Sequence, residues 1–141
     1  MLCAPGNPGI AEQARLLGFD AGDPAVVVDA ARREGATLVV VGPEAPLVAG
    51  VADALEQAGI PCFGPIAAAA ALEGSKSFCK QVMEAAGVPT ARFRVVSDVD
   101  AGMEAIDLYP VVLKADGLAA GKGVIICLLY TSPSPRDRQK S

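Results

Sequence analysis

The 141-residue chain contains no histidine. A Ser-His-Asp triad, a Cys-His nucleophile pair, a histidine general base and a His-ligated metal are therefore excluded within it. It also lacks tryptophan and has only two tyrosines and four phenylalanines, which leaves no aromatic platform for stacking single-stranded bases. The four cysteines, Cys3, Cys62, Cys79 and Cys127, form no C-x-x-C pair. Neither a zinc knuckle nor a disulfide framework is indicated, and reduced thiols in a cytoplasmic setting are expected. No apolar run approaches the roughly 20 residues of a membrane span, and the opening MLCAPG is not a signal peptide.

What is present points to an ordinary folded chain. Hydrophobic residues make up 52% and charged residues 20%, enough for one domain or two small lobes. Twenty-six alanines suggest small side chains packed between helices and a sheet. The net charge is -4, but residues 128–141 carry three cations and one anion, so the remainder carries -6. A surface this acidic repels phosphate backbones, so no nucleic-acid partner is expected and any anion site must be a local arrangement of specific groups.

Along the chain, Met1 to Ala4 are apolar and stop at Pro5-Gly6-Asn7-Pro8-Gly9, a strand remnant running into a turn, as if the chain entered mid-fold. Asp23-Pro24 offers a helix N-cap and first-turn proline, and Gly35 stands where a helix-ending glycine belongs. Residues 37–41 (TLVVV) predict a strand buried on both faces of a parallel sheet. Leu47, Val48, Val51 and Leu55 recur at helical spacing, and residues 60–63 predict another strand. Connections this short permit only βαβ units, so the first part is expected to be a small doubly wound parallel-sheet α/β lobe. Ligands in such sheets gather at the carboxyl ends of the strands, where the loops at 5–9, 42–44 and 64–65 lie. Beyond it are expected a helix over 75–86, a strand over 92–96, a helix capped by Ser97, and strands over 111–115 and 123–127 bracketing a glycine-rich loop. Residues 128–141 (LLYTSPSPRDRQKS) lose all periodicity and have a composition that cannot bury a core, which reads as a disordered or foreign tail.

The strongest chemical signal is the stretch from Val111 to Ile126. Lys114 interrupts an apolar strand, where an ammonium without an anion would be costly if buried. Gly117, Gly121 and Gly123 let backbone N–H groups approach phosphate oxygens, and Lys122 adds a cation. A Walker A loop would need glycine at 116 and a hydroxyl residue at 123, where Asp116 and Gly123 stand, and a strand follows where that motif needs a helix. A hairpin loop over a triphosphate remains, beside the plainer alternative of a glycine-rich turn with two solvated lysines. Lys76 lies in the first turn of a helix, where the macrodipole disfavours a cation by roughly 0.3–1 kcal/mol unless an anion binds there; pairing with Glu73 or Glu84 is the simpler expectation. Glu44, held between Pro43 and Pro46, could accept hydrogen bonds from a sugar or an amine, or simply complement a helix dipole. Asn7 is equally a turn former or part of a phosphate-binding turn.

Taken together, APGNPG, VVVGPEAPLVAGVADAL, GIPCFGP, LEGSKSFCKQVMEAAGVPTA and VVLKADGLAAGKGV resemble the phosphoribosylamine-glycine ligase family of ATP-grasp enzymes, in the family's order through Cys127. The resemblance implies an N-terminal substrate domain over 1–71 that lacks its first strand, the start of an ATP-grasp domain over 72–127, and a non-family tail over 128–141. It implies that Lys76 and Lys114 contact ATP, and that Gly117, Leu118, Ala119, Ala120, Gly121, Lys122 and Gly123 form the loop that closes over its phosphates. Asn7, Gly42, Pro43 and Glu44 would help hold phosphoribosylamine. The implied partners are small molecules (phosphoribosylamine, glycine and ATP), with Mg2+ held by residues outside this stretch; no protein partner is indicated. Such a fragment is expected to be inactive as a ligase by itself. Another ATP-grasp ligase fragment, a non-catalytic nucleotide-binding module and a ligand-free fragment are the competing readings.

Overall fold

The computed structural model describes residues 1–119 and 123–127; Ala120, Gly121, Lys122 and the tail over 128–141 lie outside the described residues. In chain order the elements are β1 (Leu2–Cys3), α1 (Pro8–Ala11), β2 (Arg15–Leu16), α2 (Pro24–Arg33), β3 (Val39–Val40), α3 (Glu44–Val48), α4 (Val51–Gln57), β4 (Cys62–Phe63), α5 (Ala67–Gly74), α6 (Lys76–Ala85), α7 (Val99–Ala105), β5 (Val111–Lys114) and β6 (Val124–Cys127). They form a mixed α/β structure that divides into two compact units, Met1–Gly74 and the chain from Ser75 onward.

In the first unit β1 pairs with β2 and β3 with β4, both parallel, as two separate two-stranded sheets. Between β3 and β4 the chain makes its crossover through α3 and α4, the βαβ connection that the short links demanded. The Asp23 carboxylate accepts from Ala25 N (2.9 Å) and Val26 N (3.3 Å) to start α2, and Gly35 follows its end at φ +62°. The expected single helix through Leu47 and Leu55 is broken into α3 and α4. Gly50 adopts φ +90°, a left-handed conformation cheap only for glycine, and re-aims the chain between them.

The core forms where α2 and α4 meet β3 and β4. Val27, Val28, Ala31, Val51 and Leu55 are buried there, with Val39, Val41, Ile60 and Cys62 packed against them. Leu47, Ala52 and Ala70 extend this core toward α5. The alternation of a strand explains the rest: Val39 and Val41 face the helices, while Leu38, Val40 and Phe63 are 56%, 65% and 71% exposed. Residues 37–41 are thus covered on one face, not on both as their uniform apolarity suggested. The described helices pack only against the side that carries Val39, Val41 and Cys62.

The second unit has less buried surface, and α6 and α7 contain no buried residue. β5 and β6 pair antiparallel, with Val111 opposite Cys127 and Lys114 opposite Val124. The strand expected over residues 92–96 does not form. A strand needs a ladder partner, and among the described residues β5 pairs with β6 alone. Lys80 instead ties this stretch to α6, with its ammonium bonded to Thr90 Oγ1 and to Ala91 O at 3.1 Å and placed 5.5 Å from the Phe93 ring centre. The cap of α7 is Asp98, one residue beyond the expected serine, and its carboxylate accepts from Ala101 N at 2.8 Å.

Candidate functional site

The residues singled out in the sequence fall into one group in each unit. In the first unit they follow strand ends. Asn7 ends the turn after β1, and its Oδ1 accepts from Ile10 N at 3.0 Å, so its side chain caps α1. Gly42 and Pro43 follow β3, and Glu44 is the first residue of α3, exposed to solvent in the position that complements the helix dipole. Pro5, Gly42 and Pro43 share the lining of a cavity of about 270 Å³ that reaches down to Cys3, Phe19 and Val39. The turns after β1 and β3 thus border one largely apolar hollow that runs back along the strands to Leu2, Ala36 and Leu38; Asn7 and Glu44 do not line it. Burial pushes up the pKa of the Cys62 thiol in this unit, away from the nucleophilic thiolate form.

In the second unit the hairpin β5–β6 carries Lys114 at the end of β5. The side chain is exposed and has no hydrogen-bond or ion-pair partner among the described residues. The burial cost invoked for a lysine within an apolar strand is therefore absent, and the ammonium stands open to an external anion. Gly117 sits at φ +88°, and the strand ladder closes below the loop through Ala115 N to Gly123 O at 2.7 Å. A Cβ on Gly123 would lie 2.5 Å from Ala119 Cβ and 3.2 Å from Ala115 Cβ. Glycine at 123 is thus a packing requirement that lets the two arms of the loop approach each other. Leu118 is half exposed beside it.

Lys76 does not pair with Glu73 or Glu84. Its Nζ donates to the Gly117 carbonyl at 2.6 Å. The anion at the N-terminus of α6 is supplied by the chain itself: Asp116 accepts from Lys76 N at 2.6 Å and from Ser77 N at 3.2 Å. The hydroxyls of Ser77 and Ser75 donate to the same carboxylate, and Ser75 Oγ accepts from Phe78 N at 3.1 Å. The Ser77 hydroxyl first, then the amides of Ser77, Gly117 and Lys76, hold the Asp116 carboxyl well below the usual carboxylate range. The motif comparison treated Asp116 only as a mismatch to a phosphate loop. A carboxylate between two lysines at the root of a glycine-rich loop was the available signal, yet its partners lie about 40 residues away, beyond what local spacing can reveal.

The geometry gives the second unit two cationic side chains near one glycine-rich backbone, a combination suited to an anionic ligand. A family model described as "Phosphoribosylglycinamide synthetase, N domain" matches residues 1–73, more than half of the chain. The chain belongs to the phosphoribosylglycinamide synthetase family. A second model of that family, its ATP-grasp (A) domain, matches residues 74–135, a range that runs into the segment read from composition as a tail. Among the synthetase relatives, a protein of Streptomyces coelicolor named phosphoribosylamine-glycine ligase is 62% identical over 127 residues, covering 88% of this chain and 30% of that protein. Proteins of the same name from Leifsonia xyli and Rhizobium meliloti are 55% and 49% identical, over 89% and 91% of this chain and 31% of each relative. The chain therefore spans about a third of the length of these curated relatives.

Proposed function

We propose that the chain is part of an ATP-grasp ligase that joins glycine to 5-phosphoribosylamine, giving glycinamide ribonucleotide, ADP and phosphate. The observation that carries this is the 62% identity to a relative of that name, sustained over 127 residues. The two parallel strand pairs of the first unit are read as parts of one doubly wound sheet, with a substrate domain over 1–71 and the start of an ATP-grasp domain from 72. Cytoplasmic placement accords with four cysteines that form no C-x-x-C pair; no helix among the described residues is long and apolar enough to cross a membrane.

In this reading a glycine carboxylate oxygen attacks the γ-phosphorus of ATP, and ADP leaves. The amine of phosphoribosylamine then attacks the acyl phosphate carbon, the amine loses a proton, and inorganic phosphate departs. The protein's task in such a transfer is to position the reactants and stabilise charge. Lys114 and Lys76 would meet the phosphate oxygens, and Gly117, Leu118, Ala119, Ala120, Gly121, Lys122 and Gly123 would close over them. Asn7, Gly42, Pro43 and Glu44 would hold phosphoribosylamine at the turns that follow β1 and β3. Among the described residues no group of three or more acidic or cysteine side chains could hold a metal ion. Magnesium, which would bridge and neutralise phosphate oxygens of ATP, is expected to be held by residues beyond this stretch.

The test is ATP binding without turnover. ATP at about ten times its dissociation constant is expected to stabilise the chain by about 1.4 kcal/mol, a rise in melting temperature of about 6–11 °C for a unit of this size. No glycinamide ribonucleotide should form under the same conditions. A melting temperature unmoved by millimolar ATP would remove the nucleotide site, and a clear rate of product formation would overturn the expectation of inactivity.

A further inference from the structure

Asp116 accepts hydrogen bonds from two serine hydroxyls and three backbone amides, more than any other carboxylate among the described residues. Its partners on α6 lie 39 to 41 residues earlier in the chain. We propose that Asp116 is a positioning residue whose carboxylate clasps the root of the glycine-rich hairpin to the first turn of α6, holding the Lys76 ammonium beside the loop for the phosphates of a nucleotide. The proposal rests on the nucleotide reading above and adds to it a residue that touches no substrate.

The first turn of a helix presents four amides without intrahelical partners. In α6 three of the four, those of Lys76, Ser77 and Phe78, are satisfied from within the chain. Lys76 N and Ser77 N donate to Asp116 and Phe78 N donates to Ser75 Oγ, while Cys79 N makes the first intrahelical bond, to Ser75 O at 3.0 Å. The amides of Lys76, Ser77 and Phe78 are thus taken, and the cationic group offered at this helix end is the Lys76 side chain. The clasp also removes the electrostatic objection to that lysine: the dipole disfavours a cation at a helix start, and the adjacent carboxylate offsets it. The second tie, Lys76 Nζ to Gly117 O, uses one of the three ammonium donors and leaves two for a ligand. Two bonds donated by Lys76, from its amide to the carboxylate and from its ammonium to the carbonyl, thus fix one lysine against one loop root.

A carboxylate suits the position where its amide does not. Two ionised oxygens offer about four acceptor sites, whereas asparagine would turn a donor toward the serines and amides. An alternative role predicts the opposite sign: if Asp116 merely filled an anion site that phosphate displaces, its neutralisation would tighten nucleotide binding.

The experiment uses the 141-residue chain with Asp116→Asn and, as the variant less disturbing to folding, Ser77→Ala. Competitive acetylation read by mass spectrometry is expected to show Lys76 reacting more slowly than Lys114 in the unaltered chain. Both variants should accelerate Lys76 and leave Lys80 and Lys114 unchanged, which a general loss of stability would not do. ATP and adenosine are then titrated separately. ATP affinity should fall about tenfold in Asp116→Asn, the loss expected for a charge-assisted contact, while adenosine affinity stays constant. An unchanged Lys76 rate, an equal loss for both ligands, or tighter ATP binding would each overturn the proposal. If the unaltered chain binds no ATP, the nucleotide reading fails alone, and the clasp stands or falls on the acetylation rates.

Discussion

Lys114→Ala is expected to reduce ATP affinity by at least about tenfold and to leave folding stability within about 0.5 kcal/mol of the unaltered chain. The two halves of this expectation have one structural cause. Lys114 lies in the hairpin ladder opposite Val124, so its backbone is fixed, but its side chain is exposed and makes no hydrogen bond or ion pair among the described residues. Truncation therefore removes a charge without breaking an internal contact. A hydrogen bond from an ammonium to a phosphate oxygen contributes about 1.5–3 kcal/mol, which corresponds to a loss of about 10- to 150-fold. Isothermal titration with ATP, alongside a denaturant midpoint, measures both quantities. Unaltered affinity would show that Lys114 is the solvated lysine of a plain turn. A large loss of stability with binding retained would show that it has a structural partner instead.

Leu55→Ala carries the largest expected cost to folding, about 2–5 kcal/mol. Leu55 is 0% exposed and Val51, one turn earlier on α4, is 1% exposed; together they fill the space between α2 and the β3–β4 pair. Removing three heavy atoms there leaves a cavity whose walls come from three elements and can close only in part. For the unit Met1–Gly74, total stability is of the order of 4–11 kcal/mol, so this single change consumes a large share of it. Leu38→Ala is the matched control. It removes the same atoms from a side chain that is 56% exposed, and its cost should stay near 0.5 kcal/mol. Equal urea midpoints for the two variants would mean that the core is not centred on α4.

Much of the fold was legible in local sequence because its signals are local. Asp23-Pro24 and Gly35 bracket α2, the helix expected over 75–86 forms as α6, and the apolar runs around the glycine-rich loop form an antiparallel pair. Errors arose where the outcome depended on a neighbour. The run TLVVV reads the same whether helices cover one face or two, and only packing reveals that Leu38 and Val40 face outward. Residues 92–96 have strand-like composition but no strand to pair with. Gly50 was hidden inside a helical apolar pattern because periodicity registers spacing, whereas a φ of +90° is a backbone event. For the candidate site, the lysines and glycines stand out as residue types. Asp116 does not, since its meaning comes from Ser75 and Ser77 on another element.

The span of that contact also bears on the order in which the second unit assembles. The turn of α6 and the hairpin β5–β6 each close over short stretches of chain, fast events on the scale of microseconds or less. Joining Ser77 to Asp116 closes a separation of 39 residues, and each doubling of loop length adds about 0.6 kcal/mol of entropy to be overcome. The bond is therefore expected to form after both local elements, as a late seal on parts already made. Weakening it should show in the rate of unfolding far more than in the rate of folding, so the connection between helix and loop is one that the native chain can release without dismantling either.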